Sequence, residues 1–391
     1  MKKKDKEKKP DEQQPDSPAD AAAPKVAPPP EKAKKKERKK EPERSMRRLL
    51  APLIPLYRVA LNFREMRLAS GMEPVRWLRC PVISIGNLST GGAGKTPFTI
   101  MLAKELASHG LPIDVLSRGY GRQSTGVTRV DPSGTAEEFG DEPLLIARET
   151  GVPVYLADER YDAGVLAEKE AVIARAAKVE AEPEPEPEVE GATEEDPPPF
   201  CIHLLDDGFQ HRQLARTVDI LLLNRQDWLD RLLPAGNLRE PLDALFRANV
   251  IAIPANEQAL ADALTKWGWE KPIWRLHRIM EVKKFHGPVA AFCGIARPEQ
   301  FFDGLEAAGV ELAARFTFPD HYDYDEAIVR EMIANAHSKE AKAFVTTTKD
   351  LVRLGELTEL FPETTPLETA HLRIEVHDKT EMLTWLAGQL L

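Results

Sequence analysis

The segment Ser89-Thr90-Gly91-Gly92-Ala93-Gly94-Lys95-Thr96 constrains this chain more than any other. It matches GxxxxGK[ST], except that Ser89 holds the first glycine position. Before it, Pro81-Val82-Ile83-Ser84-Ile85-Gly86 reads as a buried strand. After it, Thr96–Ser108 reads as a helix with Pro97 in its first turn and Gly110 past its end. Strand, glycine-rich turn and helix N-terminus in that order make a phosphate cradle. Backbone N–H groups turn inward, the helix adds its positive dipole end, Lys95 reaches the terminal phosphates and the Thr96 hydroxyl ligates Mg2+. Gly91, Gly92 and Gly94 keep the loop feasible despite Ser89.

The rest of the chain alternates short β-branched runs with longer amphipathic ones, which predicts an α/β fold with a mostly parallel sheet flanked by helices. Further strands are expected at 113–116, 152–156, 201–205, 218–223, 250–253, 289–293 and 344–347. Helices fit 144–148, 162–176, 257–266, 298–308 and 325–336. The alternation restarts after Pro288, so a boundary falls near Lys271–Lys284. It divides a nucleotide-binding domain over 46–280 from a smaller α/β domain over 281–391.

Two segments stand outside this pattern. Residues 1–45 hold 15 Lys/Arg and 10 Asp/Glu with almost no large apolar residues, too little to offset ordering entropy. Residues 168–198 form an acidic insertion containing Glu182-Pro183-Glu184-Pro185-Glu186-Pro187-Glu188, read as a loop or linker stiffened by proline and self-repulsion. The whole chain of 391 residues carries −10, so the body beyond the basic tail is strongly acidic, which argues against a nucleic-acid-binding body. Nothing points to an obligate protein partner. Cys80, Cys201 and Cys293 are odd in number and far apart, suggesting neither a disulfide framework nor a metal cluster and favouring a reducing compartment. No apolar run is long enough to span a bilayer. Leu49–Tyr57 with Arg47, Arg48, Arg58, Arg64 and Arg67 reads either as a helix lying in a membrane interface or as an ordinary domain-edge helix.

A phosphate loop needs a metal-side carboxylate at the end of a neighbouring strand. Cys201-Ile202-His203-Leu204-Leu205-Asp206-Asp207 supplies two. On these residues alone the chain is a Mg-nucleotide phosphotransferase or hydrolase. A nucleotide-hydrolysing switch and a membrane-surface scaffold with a degenerate site are the alternatives. The guanine-reading Asn-Lys-x-Asp of a GTPase follows no strand, Thr347-Thr348-Lys349-Asp350 being a partial echo.

The segment Ile85–Pro97 resembles the phosphate loop of the tetraacyldisaccharide 4′-kinase (lipid A 4′-kinase) family. The likeness recurs in Leu116-Ser117-Arg118-Gly119-Tyr120-Gly121-Arg122, Gly140-Asp141-Glu142-Pro143 and Asp206-Asp207-Gly208-Phe209-Gln210-His211-Arg212. It continues in Leu233–Pro241, Phe292–Ala296, Phe318-Pro319-Asp320-His321-Tyr322 and Thr346–Asp350, in the family's order, from about Met46 onward. The tail and the Glu-Pro insertion look like additions to the family pattern.

The resemblance implies transfer of the ATP γ-phosphate to the 4′-hydroxyl of a tetraacylated glucosamine disaccharide 1-phosphate. That reaction forms lipid IVA in lipid A synthesis, at the cytoplasmic face of a bacterial inner membrane, by a peripherally bound enzyme. It implies two domains joined by a flexible linker, with ATP and Mg2+ as cofactors. By the same resemblance Asp141 is the base for the sugar hydroxyl and His321 pairs with it, although Asp141 read alone is a good helix cap. Lys95 and Arg239 would act on phosphate charge. Thr96, Asp206, Asp207 and Glu240 form the metal side, and Arg118, Tyr120 and His211 lie near the disaccharide.

Overall fold

The computed structural model describes residues 47–181 and 201–390. The expected tail of residues 1–45 lies outside the described residues, as does the Glu-Pro run. In chain order the strands are β1 (Val82–Asn87), β2 (Ile113–Ser117), β3 (Thr128–Arg129), β4 (Val154–Leu156), β5 (Ile202–Asp206), β6 (Val218–Leu222), β7 (Val250–Pro254), β8 (Ile273–Glu281), β9 (Val289–Cys293), β10 (Leu312–Thr317), β11 (Phe344–Thr347) and β12 (Leu367–Val376). They join one sheet ordered β10-β9-β11-β12-β8-β7-β6-β1-β5-β2-β4-β3. Its pairs are parallel except β3 with β4 and β8 with β12.

Strand β1 is buried along its whole length between β5 and β6, so its apolar run faces helices on both sides. On one face, Phe98, Leu102 and Leu106 of the helix Lys95–Ser108 pack against Ile83, Ile85 and Leu204. Each such side chain contributes about 1.5–3 kcal/mol by leaving water. On the other face, Leu88, Phe209, Leu221, Ile251 and Ile253 form a second core. The phosphate loop is thereby fixed at the C-terminal edge of a central strand.

Several expectations are corrected. The boundary expected near Lys271–Lys284 falls on a strand, since β8 occupies Ile273–Glu281. Residues Ile273 to Leu276 pair with β7, and Leu276 to Glu281 pair with β12. Strand β12 is divided likewise: Leu367 to Ala370 pair with β11, and His371 to Val376 pair with β8. The insertion does not begin at Glu168, since the helix Arg160–Ala181 continues past that residue. Good helix formers (Glu, Lys, Ala) outweigh local acidity there, and Ala163 and Ala167 bury against Tyr155 and Leu205. Cys80 and Cys201, expected unpaired, form a disulfide with Cα atoms 5.5 Å apart. They precede adjacent parallel strands in matching register, a proximity that a spacing of 121 residues conceals.

The helix Ile54–Ala69 docks through Ile54, Tyr57 and Leu61 on the second core. Its opposite side leaves Leu56 70% and Phe63 54% exposed, beside Leu53, Val59 and Met66. Among the described residues no helix is long and apolar enough to cross a membrane.

Candidate active site

Gly91, Gly92 and Gly94 have φ of 79°, 64° and 85°, left-handed values that glycine adopts without a Cβ penalty. Gly94 is the N-cap of the following helix, so the turn delivers the chain directly to that helix's N-terminus. Ser89 is buried and accepts a hydrogen bond from Asn87 Nδ2 at 3.0 Å, which gives the departure from glycine a local partner. The Thr90 N–H donates to Asn237 O at 2.8 Å and anchors the loop to the segment bearing Arg239. Lys95 Nζ donates to Asn87 Oδ1 at 3.1 Å and lies 3.3 Å from Asp207 Oδ1. Ala93 and Thr96 complete the loop's contribution to the cleft.

Asp206 ends β5, next to β1, fully buried with Thr99 Oγ1 donating to it at 3.1 Å. Burial, and then the negative charges of Glu142 and Asp207, raise its carboxyl to about 7. Asp207 behaves oppositely. Burial pushes it up, but Lys95 and Arg239 outweigh that and hold it below the ordinary carboxylate range. Arg239 NH1 donates to Asp207 Oδ2 at 3.0 Å and to Gln210 Oε1 at 3.2 Å. The carboxylates of Asp206 and Asp207 and the Thr96 hydroxyl, which line the same cleft, are hard oxygen donors and fit Mg2+ chemically. Glu240, expected on this metal side, does not line the cleft: its carboxylate pairs with Arg247 at 2.6 Å. The neighbouring Arg239 side chain instead pairs with Asp207.

Asp141 begins the helix Asp141–Thr150, behind Gly140 at φ 88°. A Cβ on Gly140 would stand 3.0 Å from Tyr120 O. Asp141 is the first residue of the helix and not its cap, which is Gly140, although its Oδ1 accepts the adjacent Glu142 N–H at 2.9 Å. Its Oδ2 meets His321 Nδ1 at 3.0 Å and accepts from Arg353 Nε at 2.7 Å. Burial alone would raise Asp141, but the His321 hydrogen bond and the charges of Arg353 and Lys349 hold it far below the usual range. The same bond raises His321, whose φ of 58° reflects a strained loop position.

Tyr120 is exposed, its ring 5.4 Å from that of His321. Arg118 is exposed on the same wall. His211 is partly buried, and burial followed by the charges of Arg160 and Arg216 lowers it to about 3, so it is neutral at physiological pH. Of the residues expected in the site, all but Glu240 and the buried Ser89 border one cleft of ≈ 1210 Å³.

Three residues of this site carry no expectation from sequence. Arg353 and Lys349, four apart on the helix Thr348–Leu354, reach Asp141 and Glu142 respectively. The i,i+4 spacing of two cations was the available signal. Arg297 lies over the phosphate loop, where a Cβ on Gly92 would come within 2.8 Å of its side chain, and its guanidinium pairs with Asp227 at 3.0 Å.

A mostly parallel, helix-flanked sheet with a glycine-rich loop after a central strand and paired carboxylates at the end of its neighbour defines a P-loop kinase fold. The model of the family described as tetraacyldisaccharide-1-P 4′-kinase matches residues 46–391. The chain belongs to that family. A tetraacyldisaccharide 4′-kinase of Koribacter versatilis is 37% identical over 337 residues, covering 84% of this chain and 94% of that protein. One of Aquifex aeolicus is 34% identical, covering 81% and 92%. A crystal structure of the Aquifex aeolicus LpxK protein in complex with ATP aligns with TM-score 0.65 at 30% identity, covering 88% of this chain and all of that one.

Proposed function

We propose that this chain transfers the γ-phosphate of ATP to the 4′-hydroxyl of a tetraacylated glucosamine disaccharide 1-phosphate, the reaction that yields lipid IVA. The observation that carries this reading is that the Asp141–His321 pair and the Gly91–Lys95 loop border the same cleft. One side can hold a triphosphate while the other takes a proton from an acceptor hydroxyl.

The 4′-oxygen forms the new bond to phosphorus as the bond to the β-phosphate oxygen breaks and ADP leaves. Asp141 accepts the hydroxyl proton, and His321 orients its carboxylate. The loop N–H groups and Lys95 grip the transferring phosphoryl group, and Arg239 adds a guanidinium where charge spreads over its oxygens. Mg2+, when bound, neutralises phosphate charge. Thr96 and Asp206, with Asp207 in support, would hold it. Arg118, Tyr120 and His211 contact the disaccharide from the cleft wall.

The apolar, solvent-facing side of the helix Ile54–Ala69 supports peripheral attachment to the cytoplasmic face of an inner membrane, where a tetraacylated substrate resides. Domains over 46–280 and 281–391 remain our division of the chain. The test is incubation of purified protein with Mg-ATP labelled in the γ-phosphate and the disaccharide 1-phosphate lipid, followed by thin-layer separation. Label should move to a lipid spot. Label released only as inorganic phosphate would make the protein a hydrolase.

A further inference from the structure

At the end of β1 and β5 opposite the phosphate loop lies a second cluster of reactive groups. Val82 pairs with His203 across these strands, and Cys80 and Cys201 continue the same register two residues earlier. Residues 201 and 203 therefore present their side chains on one face. His203 is fully buried, and its Nδ1 lies 2.7 Å from Asp114 Oδ1 on the next strand, β2. A carboxylate can only accept, so the Nδ1–H donates and Nε2 is left to face the sulfurs. The Nε2 makes no close hydrogen bond, and its ion-pair neighbour is the Glu168 carboxylate. The two sulfurs and a His203 ring nitrogen lie within 4.8 Å of one another. Glu168, from the helix Arg160–Ala181, closes the group: its Oε1 is 3.7 Å from Nε2 and accepts the Cys80 N–H at 2.8 Å.

The apolar part of the surrounding wall is built from Val82, Leu116, Tyr155, Ala163 and Leu205, and within it His203 is held between the Asp114 and Glu168 carboxylates. Two sulfurs, an imidazole nitrogen and a carboxylate make a four-donor set suited to zinc. Asp114 then takes the part of the outer carboxylate that fixes the tautomer of a ligating histidine.

We propose that Cys80, Cys201, His203 and Glu168 form a redox-gated zinc-class metal site. With the Cys80–Cys201 bond intact the site is closed to metal. A two-electron reductant such as a phosphine cleaves that bond: phosphorus takes oxygen from water and becomes the phosphine oxide, and each sulfur takes one proton. The divalent ion then displaces both thiol protons and binds two thiolates, His203 Nε2 and Glu168 Oε1. A two-electron oxidant such as a small-molecule disulfide, itself reduced to two thiols, takes the sulfur electrons back into the Cys80–Cys201 bond and so releases the ion.

The test uses the full chain in two states, oxidised and phosphine-reduced, titrated with Co2+ as a spectroscopic probe and then with Zn2+. The reduced protein should bind one equivalent of Co2+ with a thiolate-to-cobalt charge-transfer band that Zn2+ abolishes. The oxidised protein should show no such band. Cys201→Ser should remove the band, and Glu168→Gln should weaken binding about ten-fold or more while leaving it visible. The comparison of oxidation states needs no variant, so a misfolded Cys201→Ser protein leaves the test intact. Reduced protein without the band, or a band that persists in folded Cys80→Ser/Cys201→Ser protein, overturns the proposal.

Discussion

Arg353 Nε donates to Asp141 Oδ2 at 2.7 Å, an ion pair between residues 212 apart in sequence, with both side chains only 6% exposed. Arg353 also donates to Gly294 O and Asp350. One guanidinium therefore ties the candidate base to the turn after β9 and to Asp350 on its own helix. Arg353→Met removes a positive charge that holds the Asp141 carboxyl down. The ionised form, present above the depressed pKa, will then require a higher pH, so the acidic limb of the kcat profile should move upward. Removing one partner of a buried pair costs about 3–5 kcal/mol. Thermal melts should place the loss toward the lower end, because His321 still contacts Asp141. An unmoved acidic limb would mean that the pair is structural only.

Asp141→Ala and His321→Ala should each lower kcat with smaller effects on the KM for ATP. The double variant should be little worse than the more damaged single one, because groups acting as a unit are not additive. The 3.0 Å contact makes His321 the first cause of Asp141's depressed pKa, so its loss should also shift the acidic limb upward. Steady-state kinetics of the four proteins decide this, and fully additive losses with a fixed profile would separate the two residues.

Lys95→Ala should cost about 10²–10³ in kcat while the fold survives, because the ammonium acts on phosphate charge and not on packing. Circular dichroism with a turnover assay reads both. Turnover near that of the parent would sink the phosphate-loop assignment.

The Leu56→Glu/Phe63→Glu variant puts two charges on the outward face of the helix Ile54–Ala69 without touching Ile54, Tyr57 or Leu61. Co-sedimentation with anionic vesicles should fall sharply while turnover on detergent-dispersed lipid is retained. Deleting residues 1–44 should leave both nearly unchanged, and release of the protein by that deletion alone would make the tail the anchor.

What could be read in the sequence was local. The phosphate loop, β1 and the helix after it are contiguous, and β9 and β11 have the residue bounds expected. Strand β8 escaped because Ile-Trp-Arg-Leu-His-Arg-Ile-Met-Glu mixes cations into its apolar alternation, and β10 is a half-exposed edge strand. Asp141 with His321 came through family likeness, whereas Arg353 did not, since no role attaches to its position until the chain is folded. Cys80 with Cys201 depends on β1 and β5 being neighbours, which is a property of strand order that no spacing encodes.

The partner exchange halfway along β8 and β12 has a mechanical consequence. Between the portion of the sheet carrying the phosphate loop and the portion carrying β9, β10 and β11, the ladder narrows to an antiparallel ribbon of six residue pairs, from Leu276 with Val376 to Glu281 with His371. Two-stranded ribbons tolerate more twist than wide sheets. The ribbon is therefore, among the described residues, the one ladder through which backbone hydrogen bonds couple the phosphate-loop strands to the strands that lead into His321 and Arg353.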